Sequence, residues 1–432
     1  MEFGVNFFPA VDPARKSAST YYDESLQLVE LAEELGFAHV RTGEHYGSAC
    51  GGYSPDPVVF LTAAAAQTRR IRLVAGAAVS PFAHPVQIAA RLALLDNLSH
   101  GRLDAGFAHG TAQSGLFGVP GKDSAAPVEE TVEACVALWS GEEVRFEGDV
   151  HRFGPVTGFP LPYQRPHPPV FVEGAASAGW CARAGARGHH LQLSPVPGGR
   201  RQAQRLTGAY RAARRAAGHR GEGRVQIAYT CYLGTDREVT LTAARAGEDH
   251  RARLTAGAGT GAFRADVRRP LPGAAGATAH DYDYDYDYDY DGGYDGGYDG
   301  GYDGGYDGGY DVGDGYDCGG GYDFDRALAG RQVLAGTPDD VRAQIETIRA
   351  WYGSGSCLSL QFNPGHLPYG RAVRAMELFA AEVAPAFTHS PAPAPTGTAG
   401  ARAAAGAAGA AGAGGGRGGR GGNPAVAATA AA

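Results

Sequence analysis

Short apolar runs and amphipathic stretches take turns along most of the chain, and the order is almost always strand, then helix. "EFGVNFF" reads as a first strand. Thr20 is placed to cap the next helix, with Asp23 three residues on. Leu28, Leu31, Ala32 and Leu35 form its buried stripe before Gly36 ends it. "FAHVRT" is a second strand, Ser54-Pro55 opens a second helix, and "IRLVAGAAVS" is a third strand. Pro85 starts a helix with Ile88, Leu92 and Leu95 on one face, and "RLDAGFAHG" follows as the fourth strand. A helix over Val128 to Trp139 leads to a hairpin in "EEVRFEGDVHRF". "PPVFVEG", "GHHLQLS" and "RVQIAYTCYLG" are the fifth, sixth and seventh strands. Thr337-Pro338 caps a helix buried through Val341, Ile345, Ile348 and Trp351; "CLSLQF" is the eighth strand, and a last helix covers about Arg371 to Ala384.

Eight β/α units without a second core predict an α/β fold of the (β/α)8 TIM barrel type. A doubly wound open sheet is the alternative, but its glycine fingerprint is missing. "GAGTG" at Gly257 to Gly261 lacks the G-x-G-x-x-G spacing and follows a helical pattern. In a barrel the chemistry gathers where the strands end. Those ends carry Phe7 and Phe8, Glu44 and His45, Gly76 and Ala77, His109, Glu173, Ser194, and Gln361.

Composition changes the picture in one segment. Asp281 to Asp325 holds fifteen aspartates and no Lys or Arg, within a chain of net charge −8, so the rest carries +7. "DYDYDYDYDYDGGYDGGYDGG" has no apolar face at helical or strand period, and dense like charge with glycine predicts disorder. Its D-x-D-x-D-G stretch, Asp287 to Gly292, begins like a calcium loop but has Tyr298 where a bidentate Glu is needed. The tail rich in Ala, Gly and Pro reads as a flexible appendage. The expected organisation is a barrel over 1–256 and 331–387, a long disordered low-complexity insertion over 257–330 between strands 7 and 8, and a disordered tail over 388–432.

The remaining arginines are scattered, which argues against nucleic acid as a partner. No run approaches the roughly 18 apolar residues of a membrane span, and "MEFGVNFFPAVD" lacks the pattern of a secretion signal. Cys50, Cys135, Cys181, Cys231, Cys318 and Cys357 contain no C-x-x-C pair, which disfavours zinc and a disulfide framework. His189 and His190 lack metal-ligand spacing, so no metal site is expected. A cytoplasmic location follows most simply.

"RTGEHYGS", Arg41 to Ser48, ends a strand in an acid beside a histidine. A histidine titrates near neutral pH and can give or take a proton. From the residues alone, His45 is either that group or a polar residue satisfied in the rim. Glu44 could orient it or touch a substrate, although neighbours on an extended strand point opposite ways.

"GEHYG", "SPFAHPVQIAARLALLDNLSHGRLDAGFAHG", "PLPYQRPHPPVFVEGAAS" and "AGTPDDVRAQI" together resemble the bacterial luciferase-like family of flavin-dependent monooxygenases, in that family's order and spacing. The resemblance covers about residues 1 to 240 and 331 to 384. It implies a (β/α)8 barrel that binds reduced FMN, or in one branch a deazaflavin, and commonly forms a homodimer. It implies catalytic roles for His45 and Glu44. A non-proline cis peptide at Gly76–Ala77 would bulge the third strand against the flavin ring, and Ser194 would contact the ring. The family's phosphate-binding arginine is replaced by His109, followed by Gly110, while Glu173, Gly174 and Ser177 precede a helix expected to start near Ala175 and could cradle the phosphate. Arg102 and His84 read as structural, and Asp96 as the anchor of a helix-to-strand loop.

The activity this implies uses reduced FMN and O2 to oxygenate a small, largely apolar molecule through a flavin hydroperoxide. A separate flavin reductase would act as partner, since no nicotinamide site is found. Deazaflavin-dependent hydride transfer and a non-catalytic flavin-binding barrel are the competing expectations.

Overall fold

The computed structural model describes residues 1–79, 82–108, 114–117, 125–174, 177–196, 198–259, 322–353 and 355–387. Its strands are β1 (Glu2–Phe7), β2 (His39–Thr42), β3 (Arg72–Val79), β4 (Leu103–Ala108), β5 (Glu143–Glu147), β6 (Arg152–Thr157), β7 (Val170–Glu173), β8 (His190–Leu193), β9 (Val225–Leu233), β10 (Leu334–Gly336) and β11 (Ser356–Gln361). Eight of them close a parallel ring in the order β1-β2-β3-β4-β7-β8-β9-β11, with β11 returning to β1. The expected TIM barrel is therefore present. β5 and β6 form the expected antiparallel hairpin outside the ring, its turn held by Glu130, whose carboxylate accepts from the N–H groups of Asp149, Val150 and His151.

Helices α1 (Ala18–Glu34), α2 (Pro57–Gln67), α3 (Pro85–Leu98), α4 (Ala125–Leu138), α5 (Ala178–Ala186), α6 (Gly199–Ala216), α7 (Arg237–Gly259), α8 (Phe324–Ala329), α9 (Pro338–Tyr352) and α10 (Tyr369–Leu378) connect the strands. Two of the expected starts shift. Ser17, not Thr20, caps α1, accepting from Thr20 N–H at 3.1 Å. Asp56, not Ser54-Pro55, caps α2, accepting from Val58 and Val59, because a carboxylate is the stronger acceptor and Ser54 is spent on Thr42 and Gly43. On α9 the buried face runs through Val341, Ile345 and Ile348 as expected, but Tyr352 completes it rather than Trp351. None of the helices in the described residues is long and apolar enough to cross a membrane.

The insertion boundary also moves. α7 runs on to Gly259, and α8 lies inside the span expected to be low-complexity. Phe324 and Ala327, three apart, pack with Tyr232, Ala244 and Ala335, and Arg245 lies over the Phe324 ring while pairing with Asp325 at 2.7 Å. The strand that follows, β10, adds to β9 outside the ring. Neither element was expected, because each is too short to show a period. The rest of the insertion and the tail lie outside the described residues.

Period-two alternation sorts the ring strands into two faces. Phe3, Val5 and Phe7, Leu73 and Ala75, Leu103 and Phe107, Val225 and Ile227, and Leu358 and Leu360 all join one apolar core, so that core lies between the ring and the helices. At its base Phe3, Phe37 and Phe362 pack around Phe379 with centroids 5.0–5.9 Å apart, which locks the C-terminal helix onto β1, β2 and β11. The opposite parity fills the bore, and it is polar. Asp104 is fully buried and paired with Arg72 at 2.5 Å and Arg224 at 3.2 Å. Above it His39 Nε2 meets Ser359 Oγ at 2.6 Å, and Gln192 donates to Gln226 at 3.0 Å.

Glycines make the room. A Cβ on Gly4 would strike the His39 ring, one on Gly76 would sit 2.5 Å from Arg41 Nε, and one on Gly106 would strike the Ala75 carbonyl and approach the Gln192 amide. Gly106→Ala therefore meets backbone that cannot move aside. We expect it to lower unfolding free energy by about 1–3 kcal/mol, read as a lower denaturant midpoint with unchanged slope; an unaltered midpoint would contradict this packing.

Candidate functional site

Beyond Thr42 the chain leaves the ring, and the His45 N–H donates to Ser54 O at 2.8 Å, folding the loop back over the mouth. The His45 ring stands edge-on to Phe8, centroids 4.7 Å apart, and its other side packs on Gly51, where a Cβ would lie 2.7 Å from His45 Cβ. His45 Nδ1 is buried without a hydrogen-bond partner among the described residues. Burial, and then the charge of Arg41, pull its pKa down to about 4, so the imidazole is neutral at pH 7.

Glu44 takes the other direction. Its carboxylate accepts from Tyr46 Oη and lies toward Val58 and Arg91, on the side of α2 and α3. Tyr46 leads into an aromatic wall: its ring is 4.9 Å from Phe117, which stacks on Phe82 at 4.3 Å. Phe117 is 43% exposed and Leu116 64%.

Arg41 had no role assigned by sequence and turns out to be central. It points into the bore from β2, its Nε against Gly76 on β3, and that Nε is buried without an acceptor among the described residues. Burial lowers its pKa, with the Glu173 carboxylate working against that; burial raises the pKa of Glu173, with Arg41 working against it. The only hint in the sequence is an arginine at an inward-facing position of an apolar strand. Gln361 joins the same mouth, donating to Phe8 O and accepting from Asn6 Nδ2 at 3.3 Å.

The remaining expected residues are placed unevenly. Gly76 sits on β3, whose register against β4 slips between Ala75 and Ala78. The side chain of Ala77 and the geometry of the Gly76–Ala77 peptide lie outside what the structure describes, as do His109 and Gly110. Glu173 ends β7, its carbonyl held by Trp180 Nε1 at 2.6 Å, and Gly174 N–H donates to Gln192 O at 2.7 Å. The helix expected near Ala175 begins at Ala178, with Ser177 as its cap accepting from Trp180 N–H at 3.4 Å. Ser194 is exposed just past β8. Arg102 is structural as expected, its guanidinium donating to Ser99, Thr68, Ile71 and Ala65. His84 caps α3, and Asp96 accepts from the backbone and side chain of Gln164, tying the segment before β7 to the start of β4.

The mouth thus joins an aromatic edge, a neutral imidazole, a buried cation and a side-chain-free strand. Arg41 Nε, His45 Nδ1, Gln192 Oε1 and Gln226 Nε2 are all buried without partners among the described residues. Each such group costs about 1–3 kcal/mol if left so, which suits a site completed by a flat ligand with a hydrogen-bonding rim.

The profile of the luciferase-like monooxygenase family matches residues 1–304. The chain is similar to the crystal structure of monooxygenase RslO1 from Streptomyces bottropensis, at 38% identity over 90% of this chain and 100% of that one, with a TM-score of 0.72. It is 32% identical over 197 residues to the oxygenase component of a flavin-dependent trigonelline monooxygenase from Acinetobacter baylyi, covering 44% of this chain. It spans about half the length of the first relatives matched by sequence, 54% and 55%. In fold alone it is similar to the oxygenating constituent of 3,6-diketocamphane monooxygenase from Pseudomonas putida in complex with FMN, at 20% identity over 89% of this chain and 98% of that one, with a TM-score of 0.65.

Burial holds His39 and His366 down to about 3 and His45, His189 and His190 to about 4. The unfolded chain protonates these rings near pH 6.5 while the folded protein does not, so stability present above that pH is lost as pH falls toward 4. Glu173, raised by burial, acts in the opposite sense but is a single group. We expect the urea midpoint to fall from pH 7.5 to pH 5, each proton taken up only by the unfolded chain costing about 1.4 kcal/mol per pH unit; a midpoint that rises would contradict the burial of these rings.

Proposed function

The chain belongs to the luciferase-like monooxygenase family, and from that premise we propose that it is a flavin-dependent monooxygenase. In this reading it binds reduced FMN in the mouth of the barrel and uses O2 to oxygenate a small, largely apolar organic molecule. The observation that carries the proposal is the placing of Arg41 Nε beside Gly76 and of His45 beside Phe8, with Arg41 Nε and His45 Nδ1 both buried and without a partner among the described residues.

Reduced flavin, when bound, supplies the electrons that activate O2. The chain supplies the enclosure. Gly76 and Ala77 lie on the strand assigned to the flavin ring, and the missing Cβ of Gly76 makes room there for the Arg41 side chain. Gln361 ends β11 and Ser194 follows β8, with β9 between them in the ring. Glu173, Gly174 and Ser177 precede the N-terminus of α5, where Ser177 still has its hydroxyl proton to donate; His109 and Gly110 are assigned to the same phosphate. Tyr46, Phe82 and Phe117 form the apolar wall that takes the substrate and keeps water out. His45, neutral at pH 7, holds or moves the proton, and Glu44 positions Tyr46 in the wall. A separate reductase would supply the flavin, in keeping with the "oxygenase component" of the trigonelline relative.

Mixing the protein with chemically reduced FMN and then with air tests the proposal. Return of oxidised-flavin absorbance should lag behind that of free FMN, and in a parallel anaerobic titration the protein should bind reduced FMN more tightly than a reduced deazaflavin. A rate equal to that of free flavin would overturn the proposal. His45→Ala should still bind FMN yet shorten the lag, on the order of 10²-fold for a positioned acid–base group; an unchanged lag would remove His45 from the chemistry.

A further inference from the structure

Three other arginines near the base of the ring are engaged by oxygen acceptors. Arg72 and Arg224 clamp Asp104 in the floor of the bore, and Arg102 is spread over carbonyl and hydroxyl oxygens. Arg41 differs. It is 8% exposed, its Nε has no acceptor among the described residues, and none of the described ion pairs joins it to Glu173, the carboxylate that faces it across the bore. Its guanidinium runs along the inward side of Gly76, on the strand assigned above to the flavin ring. A buried cation kept short of its counter-charge is destabilising unless something else completes it.

The cofactor changes charge during its cycle. Two electrons and one proton turn the neutral oxidised ring into a reduced ring with one negative charge shared between N1 and the neighbouring carbonyl oxygen. A fixed cation in a site of low dielectric favours the second form over the first.

We propose that Arg41 is the redox-selecting group of this pocket: its guanidinium faces the anionic edge of reduced flavin, so the protein holds reduced FMN more tightly than oxidised FMN, and Glu173 limits that preference. This rests on the flavin-pocket reading of the previous subsection. Its consequence is directional exchange. A chain that depends on a separate reductase must take up reduced cofactor and release spent cofactor, and a charge difference at one edge of the ring does both.

The test is equilibrium binding by the full chain, read from tryptophan fluorescence, with oxidised FMN and, under anaerobic conditions, with dithionite-reduced FMN. The wild-type protein should bind the reduced form at least about tenfold more tightly. Arg41→Met should abolish the ratio mainly by weakening the reduced form. Arg41→Lys should keep much of it, and Glu173→Gln, which removes the opposing charge, should increase it. Glu173→Gln and Arg41→Lys decide the matter if Arg41→Met does not fold. A wild-type ratio preserved in Arg41→Met, or lowered in Glu173→Gln, would overturn the inference alone. Binding of neither form by the wild-type protein would overturn the flavin-pocket reading and this inference with it.

Discussion

Everything at the mouth of this barrel depends on a polar bore, and the bore depends on glycine. Gly4, Gly76 and Gly106 sit where a methyl group would strike His39, Arg41 or Gln192. A bore packed with branched aliphatic residues would leave no place for a buried guanidinium or paired amides. Here the main apolar core lies outside the ring, between strands and helices, and the inside is held by hydrogen bonds and ion pairs together with Phe171, which packs on His190 and under Arg224. Such an interior is demanding, because every buried polar atom needs a partner. The floor meets that demand through Arg72, Asp104 and Arg224. At the mouth, Arg41 Nε and His45 Nδ1 have no partner among the described residues, and lower in the bore His39 Nδ1 has none either.

The two ends of the bore therefore divide the work. At the floor, opposite charges lie within direct reach and the structure is closed. At the mouth, Arg41 and Glu173 influence each other's protonation across the bore, while His45 is held neutral by burial and by the same guanidinium. A cation that keeps an adjacent imidazole uncharged also shapes the field any ligand would meet. The aromatic wall of Tyr46, Phe82 and Phe117 supplies the apolar side of the same opening.

Much of the architecture was legible in the sequence because period-two and period-3.6 patterns are local. All eight ring strands and the hairpin fall within a residue or a few of where the apolar runs put them, and His84 and Thr337 cap the helices they were expected to cap. Local choice among several good caps was less legible. Ser17 caps α1 through the N–H of Thr20 within its own turn, whereas Ser54 is occupied by Thr42 and Gly43, which leaves Asp56 to cap α2. α8 and β10 were hidden because a single turn of helix and three residues of strand carry no period of their own, and only Phe324 and Ala327 packing on β9 and α7 orders them.

By itself, then, the chain's sequence determined the order and kind of its main elements, the closure into one barrel, and the placing of Glu44 and His45 just beyond β2 and of Glu173 at the end of β7, whereas Gly76 lies within β3 rather than at its end. Those follow from alternation, which is a property of neighbours. Only the tertiary structure decided that Arg41 belongs among them, that Glu44 turns toward Tyr46 while His45 turns toward Phe8, and that Ser177 is a helix cap. The reason is that burial and charge at one residue are set by strands distant in sequence, and these meet only when the ring has closed.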